Sequence, residues 1–106
     1  MKSEYQNNVI NKIRRLREEH QYSQENIASL LGLSNGHVGN IESSKTSHKY
    51  TLSHILKICN EFNYPIEQIF LNDEDYTKNI DIVSILIQKI IKYEEQRKDY
   101  GRISKS

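Results

Sequence analysis

No stretch of this chain alternates apolar and polar residues over a strand's length; wherever Ile, Leu, Val and Phe recur, they do so every three or four positions. That period belongs to helices burying one face, so the chain reads as all-α. Val9, Ile13 and Leu16, with His20 continuing the row and Ile10 beside it, predict a first helix over residues 7–20. Ser23, with Glu25 in the first turn, opens a second helix carrying Ile27, Ala28, Leu30 and Leu31 and stopped at Gly32. Ser34 caps a third with Val38 and Ile41 inward, and Thr51 a fourth bearing Leu52, Ile55, Leu56, Cys59 and Phe62. Pro65 begins a fifth, with Ile66, Ile69 and Phe70 inward; the amide it lacks is unpaired in a first turn anyway.

Residues 1–72 thus read as a compact five-helix domain, residues 73–77 as a polar linker, and residues 78–106 as a C-terminal helix with a polar tail. In that last segment eight of the twelve residues from Ile80 to Ile91 are aliphatic, more than one face resting on a domain requires. Ile80, Val83, Ile87 and Ile90 keep the 3-4-3 spacing of a coiled-coil seam, which predicts a dimerising helix and leaves open a protein partner on the same surface. Deleting residues 78–106 is then expected to leave a folded monomer.

Composition narrows the function. Ile, Leu, Val and Phe make up 28 of 106 residues, enough for a small core and too many for a disordered chain. A single cysteine, Cys59, rules out an intramolecular disulfide, and His20, His37, His48 and His54 are scattered without the spacing of metal ligands. No metal, cofactor or catalytic group is expected, hence no enzyme. No apolar run approaches the ~18 residues of a membrane span, and the N-terminus lacks a signal-peptide core, so a cytoplasmic location without a membrane partner is expected.

The formal net charge of +1, from 15 Lys+Arg and 14 Asp+Glu, hides an uneven distribution. Asn26 to Ile41 and Ser43 to Asn60 contain no acid, while Lys45, Lys49 and Lys57 fall within them; acids crowd Glu18-Glu19 and Asp73 to Asp75. A neutral total is here an average over two faces, one of them suited to a polyanion.

The most informative stretch is Gln24 to Glu42. It holds two helices too short to be stable alone, joined by a turn of three or four residues centred on Gly32. Ala28, the chain's one alanine, falls where steeply crossing helices need a small side chain. With Val38 and Ile41 inward, Asn35, Gly36, His37, Gly39 and Asn40 face outward. Here the chain resembles the phage-repressor-like helix-turn-helix domains, the Xre or Cro/C1-type family, over Val9 to Leu71. The resemblance rests on Gln24, Ala28, Gly32, Val38, Ile41, Glu42 and the closing Pro65-Ile66-Glu67-Gln68-Ile69-Phe70.

The resemblance implies a lambda-repressor-like domain whose third helix lies in the major groove of double-stranded DNA while the second crosses the backbone. Carried over residue by residue, Ser34, Asn35, Gly36, His37 and Asn40 become base readers, and asparagine suits adenine. Gln24 and Ser23 reach phosphate at the second helix's start, and Lys45, Thr46 and Lys49 do so from the following loop. That loop departs from the family, carrying Ser43-Ser44 where Asn-Gly or Arg-Gly is usual. Arg17 and Glu42 match a structural ion pair. The implied function is a sequence-specific transcriptional regulator, a homodimeric repressor reading a palindromic operator. The alternative is an antitoxin-like module whose C-terminal helix binds a partner protein.

Overall fold

The computed structural model describes residues 1–78 and 81–95. Among the described residues the chain forms seven helices, and α1 (Glu4–Glu19) is the longest. It begins three residues before the apolar stripe predicts because the Ser3 hydroxyl accepts from the Gln6 amide while the Gln6 side chain accepts from the Ser3 amide. Ser23 and Asn26 cap α2 (Gln24–Leu31) in the same reciprocal way, and Gly32 ends it at φ 72° so that the Leu33 N–H reaches the Ala28 carbonyl at 2.8 Å.

The third helix differs from its sequence reading. Ser34 does not cap it; Ser34 lends its backbone carbonyl to the His37 N–H at 3.2 Å, and α3 (His37–Glu42) starts after Gly36, which sits at φ 90° without a side-chain cap. The α2–α3 connection therefore spans residues 32–36. Two left-handed glycines, Gly32 and Gly36, reverse the chain there, a conformation that L residues resist.

Thr51 and His54 cap α4 (Leu52–Glu61), which turns Ile55, Ile58 and Cys59 inward. Leu52 and Leu56 are exposed, because the buried stripe runs along the neighbouring Ile55–Ile58–Cys59 edge. Pro65 precedes rather than opens α5 (Glu67–Phe70), whose Ile69 and Phe70 are buried. Most of the expected linker is helical: α6 (Asp73–Tyr76) is closed by an Asn72/Asp75 capping box. Asp75 is buried beneath α7 (Ile82–Glu94), 3.6 Å from the Lys89 ammonium and 3.4 Å from that of Lys78. Burial works to raise the Asp75 carboxyl, but the Asn72 amide and the two lysines outweigh it and hold it below the usual carboxylate value.

One core unites α1 to α4 with α5 and α7. Val9, Ile10, Ile13, Ile27, Val38, Ile41, Ile55, Ile58, Ile69 and Phe70 are buried together with Tyr50 and Tyr93. The boundary drawn before residue 78 does not separate two bodies, since Tyr93 of α7 meets Phe70 edge-on at 5.8 Å and donates its hydroxyl to the Tyr50 carbonyl at 2.7 Å. Gln6 completes the joint by donating to the Tyr93 and Glu95 carbonyls at 2.6 and 2.7 Å. A chain cut before α7 would lose the buried Ile85 and Tyr93.

The outer face of α7 carries Val83, Ile87 and Ile91, which are 55%, 52% and 55% exposed. Ile90 of the predicted seam instead packs against the core with Leu86, and Ile80 lies outside the described residues. The apolar stripe thus repeats every four residues, the ridge of an ordinary helix rather than a heptad seam. Among the described residues no helix is long and apolar enough to cross a membrane.

Candidate nucleic-acid interface

The pair joining α1 to α3 sets the interface. Arg17 donates to both carboxylate oxygens of Glu42, Nε to Oε2 at 2.8 Å and Nη2 to Oε1 at 3.0 Å, and its Nη1 donates to the Tyr22 carbonyl at 2.8 Å. The side chains are 10% and 5% exposed. Its bond to Glu42 holds the Arg17 guanidinium above its ordinary value, against burial. Gln24 adds a third donor to the same carboxylate, Nε2 to Oε1 at 2.9 Å. Glu42 is the one acid between Asn26 and Asn60, and these bonds neutralise it. The flank around α3 therefore presents no uncompensated carboxylate.

On that flank Asn40 is exposed on α3, and Ser34, Asn35 and Gly36 are exposed in the turn before it. His37, at the first position of α3, is half-buried and lies edge-on to the His48 ring at a centroid distance of 5.5 Å. Of the predicted base readers, then, two stand on the helix and three on its approach. Nearby, the His54 ring accepts the Thr51 N–H, and burial, His37 and Lys57 push its pKa down.

The predicted phosphate ligands divide. Ser23 and Gln24 are exposed at the start of α2, with the Ser23 hydroxyl accepting the Asn26 N–H at 3.0 Å. Lys45 is exposed in the loop after α3. Thr46 and Lys49 have partners within the fold: the Thr46 hydroxyl donates to the Asn40 carbonyl. The Lys49 ammonium sits 3.5 Å from the Tyr93 and Glu94 carbonyls and 5.3 Å from the Tyr93 ring centroid. That ammonium complements the C-terminal end of α7 instead of projecting from the loop.

Two contributors escape sequence reasoning. Gly39 lies against Gln24, and a Cβ there would come within 3.3 Å of the Gln24 Oε1, so glycine allows the start of α2 to lie close to α3. Lys2, almost fully buried, donates to the Ile41, Ser43 and His48 carbonyls, each at 2.7 Å. No local pattern announces it, since its partners lie 39 to 46 positions away. A lysine beside an N-terminal serine reads simply as a solvated charge.

Burial pushes the Cys59 thiol up to about 11, keeping it protonated, and among the described residues no cluster of His, Cys, Asp and Glu could hold a metal ion.

A helix-turn-helix family model matches residues 13–69, more than half of the chain. The chain belongs to that family, the Xre and Cro/C1-type helix-turn-helix proteins, and is a DNA-binding regulator of that kind. No curated protein and no solved structure matches it.

Proposed function

We propose that the protein is a sequence-specific transcriptional repressor that binds double-stranded DNA as a homodimer and reads a palindromic operator in the major groove. The observation that carries this reading is the polar surface of the exposed Asn35 and Asn40 and the half-buried His37, held by the Arg17–Glu42–Gln24 brace on a flank without a free carboxylate. Asparagine matches the donor and acceptor of adenine, and histidine and serine match several base edges. Gln24, Ser23 and Lys45 supply phosphate contacts, few enough that each subunit's salt dependence is shallow and tight binding needs two subunits. The exposed Val83–Ile87–Ile91 ridge offers a face for a second copy, and a palindromic operator requires two reading helices one turn of DNA, ~34 Å, apart.

A gel shift with the gene's own upstream DNA, comparing wild type with Asn35→Ala/Asn40→Ala, tests the reading. Wild type is expected to retard a specific duplex that the double variant binds no better than random DNA. If neither retards any duplex at low salt, DNA binding is refuted; if the variant keeps full preference, the assignment of base readers is.

The same ridge supports a second reading, an antitoxin-like role in which it binds a different protein. Sedimentation of the intact chain decides: a dimer dispersed by Ile87→Glu supports the repressor, whereas a monomer at micromolar concentration favours a heterologous partner.

A further inference from the structure

The last carbonyls of a helix have no partners within it. At α3 this deficit falls at the helix proposed to read DNA. The Lys2 ammonium meets it with all three of its N–H donors, on Ile41 in the last turn, Ser43 at the C-cap and His48 farther along the loop, each at 2.7 Å. A cation in this place also complements the negative end of the helix. Because one ammonium holds both the end of α3 and the far side of the loop, it closes residues 43–48 into a ring over that end.

Within the ring the Lys45 N–H donates to the Ser43 hydroxyl at 3.2 Å and the His48 N–H to the Thr46 hydroxyl at 3.3 Å. Thr46 ties its middle to the Asn40 carbonyl, and the Tyr93 hydroxyl anchors its exit at Tyr50. Ser44, Lys45, Ser47 and His48 are the exposed members of the ring. Lys2 is 6% exposed and its donors are used, so its charge is unavailable to a phosphate.

We propose that Lys2 is a positioning residue for DNA binding: its ammonium sets the angle between the reading helix and the phosphate-facing loop without touching DNA. The inference rests on the proposal that α3 and this loop face the duplex. It makes the short arm before α1 part of the DNA-binding apparatus, and it requires lysine specifically. A compact ammonium can point its donors at three converging carbonyls, whereas the flat fork of arginine cannot, although arginine serves a phosphate at least as well.

The test compares wild type, Lys2→Met and Lys2→Arg, each checked for its helical spectrum, on the duplex identified by the gel shift and on random duplex of equal length. Both variants are expected to lose about tenfold in affinity for the specific duplex, while binding to random duplex changes less than twofold. Hydrogen exchange at residues 43–48 should speed up in both. If Lys2→Arg restores full affinity, or if the loss is equal on specific and random duplexes, Lys2 is a phosphate ligand and the proposal fails. It fails equally if Lys2→Met binds like wild type. Should Lys2→Met not fold, Lys2→Arg, which keeps the charge and a long stem, carries the comparison alone. Failure of wild type to bind any duplex would instead refute the DNA-binding reading.

Discussion

Replacing Arg17 with methionine removes three hydrogen bonds at once, two to Glu42 and one to the Tyr22 carbonyl. It also strands a carboxylate whose side chain is 5% exposed, leaving it the Gln24 amide alone. Breaking a buried pair from one side costs ~3–5 kcal/mol, because the remaining charge is uncompensated. A domain of this size has ~5–15 kcal/mol in total, so the variant should forfeit a large share of its stability. Urea unfolding followed by far-UV circular dichroism should show the midpoint falling at unchanged slope, and the melting temperature should drop by at least ~12 °C. Glu42→Gln should cost less, ~1–3 kcal/mol, since Arg17 keeps the Tyr22 carbonyl and lies 3.7 Å from the Glu18 carboxylate. The double variant Arg17→Met/Glu42→Leu should be less damaging than the sum, as it leaves no charge stranded. A loss below ~1 kcal/mol for Arg17→Met would give the pair the worth of an exposed ion pair and refute the claim that it braces α3.

Other consequences can be measured on the same unfolding curves. Tyr93→Ala should cost ~3–5 kcal/mol by emptying a fully buried site, and a chain ending at residue 77 should lack a cooperative transition; a stable truncated domain would show that α7 is dispensable. Gly36→Ala should destabilise by ~1–2 kcal/mol because of its φ of 90°, whereas Gly39→Ala should change stability by less than ~1 kcal/mol, the helix propensity gained being set against the shift forced on the Gln24 Oε1 at 3.3 Å, so equal effects would contradict the geometry. Asp75 titrates in the folded state below its unfolded value of ~3.9, so the folded protein binds fewer protons there; its contribution is complete above that value and is lost as pH falls through the folded one. Asp75→Asn should therefore flatten the acid limb of the stability profile, and an unchanged limb would place the acid-sensitive group elsewhere.

Much of this protein is legible in its sequence for a physical reason. Helical period, Ser23 and Thr51 as caps and Gly32 as a stop are local signals, and each acts within one or two turns. The all-helical class and the helix-turn-helix family follow from such signals read in order. Errors gather where local evidence is ambiguous. Ser34 has the chemistry of a cap, but Gly36 two residues later offers the left-handed turn that the reversal requires. On α4 the apolar residues cover more than one face, and only the neighbours decide that Ile55 and Ile58 go in while Leu52 and Leu56 stay out. The segment 73–77 reads as a linker by composition, yet its Asn72/Asp75 box is the same local device that starts four of the other helices in reciprocal or simpler form.

By itself the sequence determined six of the seven described helices, their order, the apolar stripes that must meet and the polar residues offered around α3. Tertiary structure alone decided what those residues are free to do. Lys49 and Thr46 look like phosphate ligands until carbonyls at the ends of α7 and α3 engage them, and Lys2 looks idle until three carbonyls converge on it. A helix leaves its last carbonyls without partners, and which side chain answers them depends on distances in space between residues far apart along the chain.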